Sequence, residues 1–195
     1  MSDDDSSADA RLARFHHRAR NTMQLVDTLI ERFREGASGG PRDVDQLARA
    51  VRVAFLLEEA TWDSSQGNVV IGPYLEAAAQ AAELPGGAAT PALCVSVPSG
   101  DLQLDPQPAF VLAMAVTEAA CVAAGRGALT VRLERSRDDY RLTCEQGPDV
   151  SGSWSAGAVA FLEMLIRPFH GRLISRARAV EVRLRAASCA TPNAP

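Results

Sequence analysis

The sequence predicts an α+β chain: an antiparallel helical hairpin, closed into a four-helix bundle by a second copy, followed by a two-layer α/β sandwich. Three observations predict it. Between residues 11 and 35 the seam positions recur at alternating spacings of four and three, the period of a helical seam, and a second apolar-sided helix follows before residue 63. After residue 68 the pattern changes to short alternating runs interleaved with longer apolar stretches, the signature of strands and helices in one sheet-and-helix sandwich. A polar turn, DSSQGN (63–68), separates the two regimes and reads as an ordinary linker.

Each element follows in order. Residues 1–10 are an acidic, polar lead, MSDDDSSADA, that reads as disordered. Residues 11–65 make the hairpin. In its first helix, Arg11 to about Glu35, a seam is formed by Leu12, His16, Ala19, Met23, Val26, Ile30 and Phe33. GASGGPR (36–42) supplies the breakers of a loop. The second helix runs from Asp43, a candidate N-cap, to about Asp63. Val44, Leu47, Val51, Phe55 and the Leu56–Leu57 pair form its apolar side. Nothing within the hairpin covers the seam, so a homodimer is expected; a hairpin packed on the rest of its own chain is the alternative.

Residues 69–187 make the sandwich. A short extended lead-in and a helix occupy Val69 to Glu83, and LPGGAATP (84–91) is a loop. ALCVSVP (92–98) alternates as a strand, and Pro106 to Ala124 is an apolar helix. ALTVRLER (128–135) and YRLTCEQ (140–146) form a hairpin across SRDD. Ser155 to Phe169 is a further apolar helix. RLISRA and AVEVRLR close the sheet as a pair around Arg178. Residues 188–195 are a polar tail. Trp62 and Trp154 are candidate partner contacts, with buried packing the favoured role for Trp62. His170 beside Gly171 reads as a turn residue.

Composition narrows the function. The chain has 195 residues, 47% of them hydrophobic, enough for a sizeable core. A net charge of −4 argues against nucleic acid as a partner. All 20 basic residues are arginine, so no mechanism needing a catalytic lysine is open; with many alanines this suggests a GC-rich bacterial genome. The four cysteines, Cys94, Cys121, Cys144 and Cys189, are widely spaced, with no C-x-x-C and no zinc spacing. They read as free thiols of a reducing compartment. The polar N-terminus is no signal peptide and no apolar run spans a membrane. The expected location is the cytoplasm, without membrane attachment.

The stretch FHHRARNTMQL (15–25) carries the chemistry. Arg14, His17, Arg20, Asn21, Gln24 and Thr28 share one face of the first helix. His16 lies on the seam instead. An imidazole with an ordinary pKa near ~6.5 is largely neutral and nucleophilic at cellular pH. Cationic neighbours disfavour its protonation and stabilise a phosphoryl group placed on it. Asn21 could orient the attacked group or a water. The chemistry that fits is reversible phosphoryl transfer through a phosphohistidine; a solvated helical face is the plain alternative.

HHRARNTMQLV resembles the His-Arg-x-Lys-Asn stretch that opens the dimerization and phosphotransfer region of HWE-related sensor histidine kinases. His17 stands at the phosphorylated position and Asn21 matches its asparagine, while Arg20 replaces the usual lysine. DVDQLARAVRVAFLLEEATW resembles the returning helix. The resemblance runs in order from residue 11 to about 186, specific in the hairpin and looser beyond it. It implies that the sandwich is a histidine kinase ATPase-like domain.

That domain departs from the resembled pattern where nucleotide is held. In MAVTEAACVAAGRG (114–127), Thr117-Glu118 stands where Asn-Glu is expected, Val122 replaces the magnesium-ligating asparagine and Gly125 the basic residue. Valine offers no oxygen to a hard cation. In CEQGPDV (144–150), Glu145 replaces the adenine-binding aspartate and Asp149 a glycine, with Gly147-Pro148 retained. SAGAVAFL (155–162) keeps Gly157 but not a Gly-x-Gly spacing. Pro148 and Gly157 are nine positions apart, too close for a nucleotide lid.

The expectation is therefore a histidine phosphotransferase of a two-component phosphorelay, without ATP. It passes phosphoryl groups between response-regulator receiver domains through His17, with Arg18, Arg20 and Asn21 as neighbours. No cofactor or metal site is expected in this chain; Mg2+ would come with the receiver domain. An active ATP-dependent histidine kinase and a non-catalytic adaptor that binds receiver domains remain the alternatives.

Overall fold

The computed structural model describes residues 20, 23, 24, 26, 27, 30, 41–61, 67–82, 89–98, 102–124, 127–137, 139–148 and 154–185. Helix α1 spans Pro41–Thr61. Proline starts it without loss, because the first helical N–H has no intrahelical acceptor. The helix therefore starts two residues before Asp43, the expected N-cap, which lies inside its first turn. Strand β1 (Val69–Val70) leads directly into α2 (Ile71–Gln80). β2 (Ala92–Ser96) and β3 (Gln103–Leu104) follow, then α3 (Pro106–Ala123). The hairpin β4 (Ala128–Arg135) and β5 (Asp139–Gln146) precedes α4 (Ala156–Ile166). A 3-10 turn, Arg167–Phe169, leads to β6 (Arg172–Ser175) and β7 (Ala179–Arg185).

Five strands form one sheet in the order β2-β4-β5-β7-β6. β2 runs parallel to β4 and the other pairs are antiparallel. β1 and β3 form a separate two-stranded ribbon, Val69 opposite Leu104. Sequence pattern predicts no strand between 99 and 105; β3 has only two residues, too short for an alternating pattern to register.

Strand periodicity sorts the sheet into two faces. Leu129, Val131 and Leu133, then Leu142, Cys144 and Gln146, then Val180, Val182 and Leu184 point into the core. The intervening positions, among them Arg132, Glu134, Arg141, Glu145 and Arg183, lie on the opposite face. α3 crosses the apolar face, with α2 and α4 packed beside it. α3 is apolar and long enough to cross a membrane, but 72% of its most apolar window is buried inside the protein, as befits a central core helix.

α1 covers the outer side of the helical layer, against α3, α2 and β1. Its buried residues are Gln46, Ala50, Val53, Ala54, Leu57 and Thr61. Val44 and Phe55 of the expected seam are exposed, and Leu47 and Val51 are half-buried. The helix therefore has two apolar faces, one docked on its own chain and one turned outward. Most of the first helix of the expected hairpin, and with it the four-helix bundle, lies outside the described residues. Of that helix, Arg20, Met23, Gln24, Val26, Asp27 and Ile30 are helical. Met23 and Ile30 of its seam are exposed, while Val26 packs against the core.

Two turn residues hold the sheet's far end. His170 adopts the left-handed conformation, φ 48° and ψ 33°, and its N–H donates to the Arg167 carbonyl at 3.1 Å. Gly171 next to it lies so close to β7 that a Cβ there would stand 2.7 Å from the Arg183 carbonyl oxygen.

Candidate functional site

Two regions bear on function: the face expected around His17, and the region between α3, the end of β5 and the start of α4, where the resemblance expects a nucleotide site. At the first, Arg20 is helical and exposed. His17, Arg18, Asn21 and the seam residue His16 lie outside the described residues.

The second region is built around α3. Thr117 is buried and its hydroxyl bonds to two carbonyls, Ala113 at 2.9 Å and Ala78 at 3.2 Å. Glu118 is also buried and faces α1. Its carboxylate accepts from Arg49 Nε at 3.1 Å and Nη2 at 3.4 Å. Burial alone would lower the pKa of the Arg49 guanidinium, but the Glu118 charge, with smaller help from Cys121 and Asp45, outweighs it and the net direction is upward. Glu118 is thus a structural counter-ion. Val122, one turn further on, is half-buried and presents only methyl groups. Gly125 and Asp149 are outside the described residues.

At the end of β5 the alternation decides which side chains face the helices. Glu145 is exposed on the outer face. The inward positions on either side are Cys144 and Gln146, and neither is a carboxylate. Burial pushes the Cys144 thiol up to about 12 and the Cys121 thiol up to about 11. With those raised values both thiols are protonated near neutrality. Among the described residues, the Gln146 amide and the Trp154 indole N–H are buried with no hydrogen-bond partner. Trp154, a candidate partner contact by sequence, is therefore a core residue. Gly147 N–H donates to the Ala128 carbonyl at 2.8 Å, tying the turn to β4. Ser155 caps α4, its hydroxyl accepting from Ala158 N–H at 3.1 Å. At Gly157, in the first turn of α4, an added Cβ would meet nothing within 4 Å, so no close approach requires a glycine there. Among the described residues no group of three or more His, Cys, Asp or Glu could hold a metal ion.

Two solved structures with a similar fold come from one histidine kinase. The blue-light-activated histidine kinase of Erythrobacter litoralis EL346 superposes with a TM-score of 0.56 at 20% identity, over 90% of this chain and 62% of that one. The fold is histidine-kinase-like. The isolated kinase domain of the same Erythrobacter protein superposes with a TM-score of 0.53 at 17% identity, over 94% of both chains. A third structure, described as a bacterial phosphotransferase, superposes more loosely, at a TM-score of 0.40 and 14% identity, and lends no weight. The match thus spans 62% of the length of that Erythrobacter kinase chain. It matches no family model and no curated protein.

Within this kinase-like fold, sequence reading singled out Glu118 and Val122 by their place in a motif. It missed Arg49. The two partners of the ion pair are 69 positions apart, and an arginine on an amphipathic helix carries no local mark of such a partner.

Proposed function

We propose that the chain is a homodimeric histidine phosphotransferase of a two-component phosphorelay, and that it works without ATP. The observation that supports the reading is a kinase-like fold in which Glu118 of α3 is committed to Arg49 and Val122 stands where the resembled motif has its metal-ligating asparagine. Neither group offers an oxygen to a magnesium–nucleotide complex. The inward positions at the end of β5 likewise lack an acid for adenine. In this reading the chain keeps the phosphotransfer hairpin and His17 and has given up the nucleotide chemistry.

In the proposed reaction the neutral imidazole of His17 attacks the phosphorus of an aspartyl phosphate on a receiver domain. The acyl-phosphate P–O bond breaks, the aspartate carboxylate leaves, and an N–P bond forms. The ring, cationic after attack, releases its single remaining N–H proton to water. The reverse sequence delivers the group to the aspartate of another receiver. Arg18 and Arg20 stabilise the phosphoryl oxygens, and Asn21 orients the incoming group. Mg2+ arrives with the receiver domain, whose carboxylates suit it better than anything on α3. The outward apolar row of α1, Val44, Val51 and Phe55, supports a second copy as the cover of the hairpin. Such a relay would run in the cytoplasm.

The test is transfer of label from a phosphorylated receiver domain to the wild-type chain, to His17→Ala and to His16→Ala. Acid-labile, base-stable labelling of the wild type and of His16→Ala, and none of His17→Ala, is the expected result. Labelling of His17→Ala but not of His16→Ala would move the site to the seam histidine. Equal binding of receivers by all three proteins with no labelling of any would make the chain a non-catalytic adaptor.

A further inference from the structure

α1 is joined to the α/β body by more than apolar contact. Arg49 meets Glu118 of α3 side-on, through Nε to Oε1 at 3.1 Å and Nη2 to Oε2 at 3.4 Å. The two side chains are 14% and 4% exposed. Tyr74 of α2 donates its buried hydroxyl to the Val53 carbonyl at 3.0 Å. Arg52 Nη1 donates to the Ala81 carbonyl, just past α2, at 3.3 Å. Positions 49, 52 and 53 share one face of α1 by i+3 and i+4 spacing, and they engage two separate elements of the body.

Apolar packing of Ala50, Val53, Ala54 and Leu57 supplies attraction but little direction, because burial of area is nearly indifferent to a small slide or roll. Charge-assisted and buried hydrogen bonds are directional, and a two-point Arg–carboxylate contact adds a defined plane. A buried carboxylate also penalises every arrangement that separates it from its cation. Together these contacts select one orientation of α1 on the body.

We infer that the Arg49–Glu118 pair and the Tyr74–Val53 hydrogen bond are a latch that locks the α/β body against the returning helix of the hairpin. The body is a fixed platform beside the hairpin and does not swing toward it. The glutamate of the degenerate nucleotide motif has become the anchor of that lock. The inference concerns orientation alone and stands or falls without any phosphate, so its failure is distinguishable from failure of the phosphotransferase reading.

The experiment measures the distance distribution between nitroxides at Glu59→Cys on α1 and Arg132→Cys on the outer sheet face, in full-length chains with Cys94 and Cys189 replaced by serine. Labelled chains are diluted into unlabelled ones so that only distances within a chain contribute. One narrow distribution is expected with the latch intact. Arg49→Met alone leaves Glu118 buried and unpaired and should lower the melting temperature by about 6–20 °C. Because that variant can fail for lack of stability, the deciding protein is the triple variant Arg49→Met, Glu118→Leu, Tyr74→Phe. It keeps the apolar volume and should recover most of the melting temperature while losing the narrow distribution. A triple variant as narrow as the intact latch would overturn the inference, since packing alone would then fix the orientation. A broad distribution with the latch intact would overturn it as well.

Discussion

Phe55 is the most informative position on the proposed dimer face. It is 60% exposed in the middle of α1, on the side opposite the docked residues. A phenylalanine side chain covers on the order of 200 Å², so about 120 Å² of it faces water. At about 25 cal/mol/Å², covering that surface is worth about 3 kcal/mol per copy. A two-fold interface uses each residue twice, so Phe55 contributes up to about 6 kcal/mol to one dimer. Phe55→Ala retains a methyl group and should cost about 4–5 kcal/mol of association, an increase of about three orders of magnitude in dissociation constant. Phe55→Asp should leave a monomer at every practical concentration, because a charge would have to be buried in an apolar seam. Sedimentation equilibrium across a dilution series reads both. The folded monomer should survive the change: Phe55 lies off the docked face, so the far-UV spectrum and the first melting transition of Phe55→Asp diluted below the wild-type dissociation constant should stay close to those of wild type at the same dilution. A Phe55→Asp protein that sediments as the wild-type dimer does would refute the assignment of α1's outward row as the interface.

Two further outcomes are expected. Calorimetric titration with Mg-ATP should give no saturable heat, and a micromolar dissociation constant would restore the ATP-dependent kinase reading. Gly171→Ala should lower the melting temperature by about 2–12 °C, since a Cβ would meet the Arg183 carbonyl at 2.7 Å and overpacking costs about 1–3 kcal/mol; Gly157→Ala, which meets open space in the first turn of α4, should melt at or slightly above wild type, and a Gly171→Ala protein equal to it would refute the crowding argument.

Local pattern determined much of this protein. Alternation placed β2, β4, β5 and β7 within one or two residues, because a strand with one face on a core must repeat every second side chain. The apolar run from Pro106 placed α3, and the breakers around 84–91 and 136–138 separated the elements. The departure of Val122 from the resembled motif was legible too, since a side chain's lack of oxygen needs no coordinates. What only the tertiary structure decided are the contacts between distant positions. Periodicity shows that α1 is amphipathic but not which face docks, and this helix carries apolar residues on two faces. Burial of Ala50, Val53 and Leu57 against α3 and α2, with Phe55 left outward, came from the shape of the helical layer. Glu145 and Cys144 differ by one position in a strand, so only the pairing of β5 with β4 and β7 could turn the acid away from the helices and the thiol toward them. The ion pair of Arg49 with Glu118 joins residues 69 apart. Its strength depends on both groups leaving water together, a condition the folded chain creates and no local stretch of sequence contains.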